Sequence, residues 1–301
     1  MDHGQKGKKA TWIGFTAILL WGTLALLTTL AGAIPPFQLT AITFFIAFLV
    51  GTAAFMKSGC DFSIFRQPLS VWVNGIFGLF GYHAVYFMAL QNAPSIEASL
   101  INYLWPILIV LFSSFLPGER LRWFHAAGVV LGFTGVTMLL MRDGFAIRGE
   151  YALGYVLALL CAVIWAAYSV ISRKLRAAPT MLIGAYCGIT AVLSLICHLL
   201  FEKMAPITGV QWVYLVAMGL GPVGLAFFVW DHGVKKGNIK LLGTLSYIAP
   251  LLSSILLLMF GKAEFSTGLL AACALIMAGS LLSALDRFRK AGKQIAVSDK
   301  Q

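Results

Sequence analysis

Ten apolar runs, each about as long as a lipid bilayer is thick, succeed one another along this chain, divided by short links of Gly, Pro or charge. They fall near residues 11–31, 35–56, 69–91, 93–115, 121–141, 150–172, 179–201, 209–231, 238–260 and 264–286. A helix needs roughly 20 apolar residues to cross hydrocarbon. Lipid offers no partner to an unpaired backbone group, and barrel-like alternation is absent, so the runs are predicted to be helices. With 60% of residues hydrophobic and 11% charged, no stretch remains for a separate soluble domain. The start of the chain, with Lys6, Lys8, Lys9 and "AGA" at 31–33, has the outline of a secretory leader. Its apolar run exceeds the roughly 7–15 residues of a leader core, so it reads as the first span.

Ten spans put both termini on one face. If that face is cytoplasmic, the inside links hold Lys6, Lys8, Lys9, Lys57, Arg66, Arg120, Arg122, Arg173, Lys174, Arg176, Lys235, Lys236, Lys240, Arg287, Arg289, Lys290, Lys293 and Lys300. The outside links hold only Arg142, Arg148, Lys203 and Lys262. This asymmetry follows the positive-inside rule and supports both the count and the orientation, with both termini cytoplasmic in an inner membrane. It also gives the net charge of +11 a membrane meaning, so no nucleic-acid partner is expected.

A constant offset of 144 links Trp21 to Trp165, Pro35 to Pro179, Ala41 to Ala185, Gly75 to Gly219, Tyr103 to Tyr247 and Pro106 to Pro250. The chain therefore divides into residues 1–145 and 146–301, each with five spans. An odd number of spans forces the second copy to enter the membrane from the opposite side. The expected fold is all-α and membrane-embedded: ten transmembrane helices as two inverted five-helix repeats around a central cavity. An axis in the membrane plane sends each residue to its mirror depth, so repeat-related residues can meet only near the midplane.

The residues near that depth are polar, aromatic or proline. Pro106 lacks an N–H and crowds the carbonyl four residues back, that of Asn102; Pro250 does the same to Ser246. Each helix is predicted to offer a freed acceptor in protein or a wet cavity, suited to an ammonium ligand, or else a simple kink satisfied by neighbours. Trp21, Trp105 and Trp165 lie mid-span, whereas Trp12, Trp72, Trp123, Trp212 and Trp230 lie toward span ends and fit an interfacial belt. Tyr82 and Tyr86 share one helix face, as do Trp165 and Tyr168. Rings with O–H and N–H groups make an amphipathic wall, and each taken singly is also ordinary helix packing. His83 is mid-span, as a proton carrier or as a neutral hydrogen-bonded histidine. Glu97 is a second coupling candidate, or a helix-start acid favoured by the dipole. Asp231 and His232 close the eighth run.

"GVVLGFTG", with Gly128, Gly132 and Gly135, and the face of Ala271, Ala274, Ala278 and Gly279 predict close contacts of spans five and ten. Gly75, Gly78 and Gly81 can ease bending of the third span. The five cysteines show no CxxC or metal spacing and read as packing residues. No HExxH, GxSxG, P-loop or acidic pair is present, so neither an enzyme, a metal nor a cofactor is expected.

The word "EASLINYLWP" in the fourth span, "GER" at Gly118–Arg120 and the Gly-rich fifth span resemble the drug/metabolite transporter superfamily with EamA-type repeats. "IWAAY" at 164–168, "GN" at 237–238 and "SYIAPLLSS" at 246–254 narrow the resemblance to its aromatic amino acid exporters. The resemblance covers nearly the whole chain. It implies a helix basket and export of aromatic and other neutral amino acids by alternating access, with Trp21, Tyr82, Trp105, Pro106 and Trp165 lining the cavity. The pattern departs at Ala249, which stands opposite Trp105. The candidate substrate-binding set is Trp21, Tyr82, His83, Tyr86, Asn102, Tyr103, Trp105, Pro106, Trp165, Tyr168, Ser246, Tyr247 and Pro250, and the fused halves make a monomer sufficient. Proton-coupled efflux of cationic drugs would call for a carboxylate in the cavity, which only Glu97 could supply. Phosphorylated sugars would call for a mid-span cation, and none is present. Without an ATP site, uphill movement needs an ion gradient.

Overall fold

The computed structural model describes residues 3–117, 121–140, 149–262 and 267–283. Among them every regular element is helical and no strand occurs. Arg120, Arg142, Arg148 and the cations from Arg287 to Lys300 that enter the charge asymmetry lie outside the described residues, as does Gly118–Arg120.

The order is α1 (His3–Gly22), α2 (Leu24–Ala31), α3 (Pro36–Lys57), α4 (Leu69–Ile76), a π turn at Phe77–Gly81, α5 (Tyr82–Asn92), α6 (Ser95–Asn102), α7 (Trp105–Ser113) and α8 (Trp123–Leu140). The second half follows with α9 (Ala152–Lys174), α10 (Leu182–Phe201), α11 (Gly209–Leu220), a π turn at Gly221–Leu225, α12 (Ala226–Lys236), α13 (Ile239–Leu245), α14 (Ile248–Met259) and α15 (Thr267–Ser283). Among the described residues, seven continuous helical stretches are long and apolar enough to cross a membrane: Gln5–Ala31, Pro36–Lys57, Leu69–Asn92, Gly149–Lys174, Leu182–Phe201, Gly209–Lys236 and Ile239–Met259. Three shorter apolar helices, Glu97–Ser113, Trp123–Met138 and Leu270–Gly279, occupy the remaining runs. Long apolar side chains such as Phe45, Leu49, Val192, Leu195 and Leu199 are exposed on the outer faces. Water would penalise such a surface and acyl chains do not.

The duplication is visible element by element. The π turn Phe77–Gly81 and helix α5 (Tyr82–Asn92) recur as Gly221–Leu225 and α12 (Ala226–Lys236), with every boundary displaced by the 144 positions that separate Tyr103 from Tyr247. The packing partners exchange in the same way: α1 packs on α12 while α9 packs on α5, α3 packs on its counterpart α10, and α8 on α15.

Small residues set the closest approaches. A Cβ at Gly14 of α1 would lie 2.8 Å from the Gly233 Cα of α12, so the two backbones touch. Their counterparts in the other pairing are Ala158 and Ala89, both fully buried. The predicted glycine contact of spans five and ten is present, because a Cβ at Gly279 would lie 2.5 Å from the Gly128 carbonyl oxygen. The alanine face is corrected: Ala274 and Ala278 are exposed, and Ala272 and Ile276 make the contact. A helix places i and i+4 on one face, and 272, 276 and 279 follow that spacing along the side turned to α8.

Candidate functional site

Each half contributes one broken helix and one π turn to the centre of the bundle. In the first half, α6 ends at Asn102 and α7 restarts at Trp105, with Pro106 in its first turn. In the second, α13 ends at Leu245 and α14 restarts at Ile248, with Pro250 in its first turn. The two sets of elements present their aromatic rings to one another.

Trp21, Trp105, Trp165 and Trp230 make mutual ring contacts. The centroid distances are 5.1 Å for Trp21–Trp230, 5.6 Å for Trp21–Trp165 and 5.9 Å for Trp105–Trp230. Phe227 touches Trp21 and Trp165, and stacks on Phe44. Tyr82 joins from α5, 5.5 Å from Trp165, and Tyr168 lies 5.1 Å from Trp165. The Trp21 indole donates to the Pro222 carbonyl inside the second π turn, at 3.1 Å. The first π turn brings Gly78 so close to Tyr168 that a Cβ there would sit 2.3 Å from the ring. Glycine is thus required at that crossing. Trp230 corrects the sequence reading: it is fully buried in the cluster rather than at a membrane interface. The helix that holds it runs on to Lys236, and the π turn upstream rotates its inward face.

Polar groups ring one side. Asn102 donates from Nδ2 to the Tyr82 hydroxyl at 2.9 Å, while its Oδ1 is buried without a partner. Tyr86 stacks on Tyr82 with 6.0 Å between centroids, and its hydroxyl shares a hydrogen with Ser99 Oγ at 2.9 Å. His83 is held at Nδ1 by the Leu79 carbonyl, 2.7 Å away. A carbonyl only accepts, so Nδ1 carries the hydrogen. The ring packs among Phe44, Tyr82, Phe87 and Phe227.

Other candidates stand apart from the tryptophans. Glu97, in the first turn of α6, accepts from the Tyr155 hydroxyl of α9. Tyr103 and Tyr247 belong to a second cluster with Val129, Val136 and Ile276. The Tyr247 hydroxyl donates to the Tyr103 carbonyl at 3.4 Å, so this repeat-related pair meets, as Trp21 and Trp165 do. The Ser246 carbonyl corrects the proline arithmetic: it accepts the Ala249 N–H at 3.1 Å. The chain there tightens by one residue, and an i+3 donor replaces the one proline removed. The Ser246 hydroxyl is spent on the Leu242 carbonyl at 2.7 Å, and the residue is fully buried.

Where α9 and α12 end, a polar latch lies one turn beyond Trp230. Arg173 donates from Nη1 to the carbonyls of Val234 (3.2 Å), Lys235 (2.7 Å) and Gly237 (2.9 Å). Lys235 pairs with Asp231 at 2.8 Å and donates to the Ala178 carbonyl, and Thr180 donates to Asp231. Asn238 N–H reaches Thr11 Oγ1 of α1 at 2.9 Å. Asp231 and Lys235 are buried and Arg173 half-buried, yet each is paired with another charge or with carbonyls, an arrangement that sequence reasoning did not assemble. Toward the opposite end, where α9 begins, Tyr82, His83 and Tyr86 are only half-buried. The tryptophan cluster is therefore covered at the latch, while the tyrosines and histidine on its other side are partly exposed.

The sequence pattern of the EamA-like transporter family matches residues 8–141 and again residues 152–285. The chain is 54% identical over 278 residues to the aromatic amino acid exporter YddG of Ancylobacter novellus, covering 92% of this chain and 97% of that one. It is 27% identical to the protein of the same name from Salmonella typhimurium, over 91% of this chain and 96% of the relative. A solved crystal structure with 52% identity superposes with a TM-score of 0.90, covering 94% of this chain and 98% of the other.

Proposed function

The chain belongs to the EamA-like transporter family, a family of transporters and not enzymes, and from that premise we propose that it exports aromatic and other neutral amino acids across the inner membrane. Transport runs by alternating access through the aromatic chamber. The wall is formed by Trp21, Tyr82, His83, Tyr86, Asn102, Trp105, Trp165 and Tyr168. Tyr103, Pro106, Ser246, Tyr247 and Pro250 build the two helix breaks that shape it. The observation that carries this reading is the contact of Trp21 and Trp105 of the first half with Trp165 of the second. A stacking chamber of that kind suits a flat side chain, and relatives at 54% and 27% identity bear the name of aromatic amino acid exporters.

Seven long apolar helices and three shorter ones support a ten-span protein, in repeats 1–145 and 146–301. The odd count in each half, and contacts of repeat-related residues at the centre, support the inverted relation. The charge asymmetry supports a cytoplasmic position for both termini and for the latch beside them. A monomer contains both halves of the chamber and suffices. Glu97 engages Tyr155 away from the tryptophans, which disfavours the alternative of proton-coupled drug efflux.

Proteoliposomes test the reading with radiolabelled Trp, Phe and Thr and a quaternary-ammonium dye, each with and without a pH gradient. Uptake of Trp and Phe is expected. Transport of the dye without any amino acid would reverse the assignment.

A further inference from the structure

Asn102 occupies an unusual position for an uncharged side chain. It is the last residue of α6, nine-tenths buried, and one end of its amide has no partner while the other holds Tyr82. Leaving a buried acceptor unsatisfied is costly, and such groups call for an explanation. The Tyr82 hydroxyl, having accepted from Asn102, still has its own hydrogen to give. The pair thus presents one free acceptor beside one free donor. Turning the amide over exchanges the two roles and keeps one of each.

The backbone adds matching polarity. The carboxyl end of α6 carries partial negative charge, and the amino end of α7, starting at Trp105, carries partial positive charge. Tyr82 also lies 5.5 Å from Trp165, so a group held by the pair is adjacent to the stacking surface. The nearby charged groups Asp231, Lys235 and Arg173 are engaged with one another or with carbonyls in the latch.

We propose that Asn102 and Tyr82 form the receptor for the zwitterionic head of an α-amino acid, Asn102 Oδ1 accepting from the ammonium and the Tyr82 hydroxyl donating to the carboxylate. The inference rests on the reading of the chain as an amino-acid exporter. Recognition by neutral groups fits a head of zero net charge. A fixed anion or cation would favour one end of the ligand and admit amines or acids that lack the other.

The test is competition against radiolabelled phenylalanine uptake into proteoliposomes by phenylalanine, phenethylamine and 3-phenylpropionate, which keep both, one and the other charged group. With wild-type protein, phenylalanine is expected to compete roughly tenfold or more better than either analogue, the value of a lost bond to a charged group. Tyr82→Phe is expected to bring phenylalanine down to the level of phenethylamine. Asn102→Asp is expected to improve phenethylamine relative to phenylalanine by about tenfold, a gain that misfolding cannot produce. If both variants keep the wild-type ranking, the receptor assignment falls while amino-acid export stands. If wild-type protein takes up no phenylalanine, the export reading itself falls.

Discussion

Replacing Arg173 by Met keeps the aliphatic stem and removes the three hydrogen bonds that tie α9 to the carboxyl end of α12. Bonds from a charged donor are worth about 1.5–3 kcal/mol each in mutational series. These three share one nitrogen on a half-buried side chain and do not add. A total of about 2–4 kcal/mol is the reasonable range once water competes for the freed carbonyls. At 1.4 kcal/mol per factor of ten, the lower value raises the population with this end open by roughly 30-fold.

The reporter is Ser169→Cys, on α9 one turn deeper than Arg173. Ser169 is fully buried and accepts from the Trp230 indole at 3.1 Å. Cys60 is an exposed free thiol and is changed to Ser in all variants. Inside-out vesicles are treated with a membrane-impermeant maleimide. Labelling of a buried thiol follows the population of the open form when opening is fast relative to the chemistry. The expected rate ratio, Arg173→Met over Arg173, is therefore about 30 or more. A ratio below about three with an unchanged melting temperature would mean that these bonds do not hold the chamber shut.

Three further outcomes follow from the same contacts. Lys235→Met strands Asp231 in a pair whose side chains are 7% and 2% exposed, at a cost of about 3–5 kcal/mol; adding Asp231→Leu recovers most of the lost thermal stability in detergent. Gly14→Val drives α1 from α12 and lowers stability by about 1–3 kcal/mol, whereas Gly209→Ala, with no atom within 4 Å of its new Cβ, is neutral in the same melt. Trp230→Leu removes ring contacts with Trp21, Trp105 and Trp165; at about 0.5–1.5 kcal/mol per aromatic pair, Trp and Phe transport falls roughly tenfold with normal insertion.

Helix positions and the repeat were legible because hydropathy and a fixed offset are local, additive signals. The run read as 35–56 is the helix Pro36–Lys57, and the run 179–201 contains Leu182–Phe201. Trp21, Trp105 and Trp165 were legible as a group because span depth alone separates them from the end-lying tryptophans. Trp230 was not, since Asp231 and His232 looked like the end of its span. Only a partner such as Lys235, with Thr180 from another link, lets Asp231 remain inside the bundle. The freed Ser246 carbonyl failed for a related reason: the break chooses its own hydrogen bonds once the chain tightens. Proline spacing names the group at risk and leaves open which donor rescues it.

Two repeats with one backbone plan would have two equivalent closures, one at each mouth, if their side chains matched. They do not match at the latch. The positions equivalent to Arg173, Asp231, Lys235 and Asn238 are Thr29, Phe87, Gln91 and Pro94. Phe87 packs on Phe37 and His83, and Thr29 is exposed, so neither can make the buried pair or the triple carbonyl contact. The other end is held by different contacts: Glu97 accepts from Tyr155, and Glu202 pairs with His198 and accepts from the Phe37 and Gln38 N–H groups. A ligand moves such an equilibrium only by its differential affinity for the two forms. Under the proposed alternating access, unequal closures give the two forms unequal stability, and the substrate supplies the free energy that shifts one to the other. A neutral head-group receptor is compatible with that demand, because it binds the zwitterion without a fixed countercharge that would hold the ligand in either form.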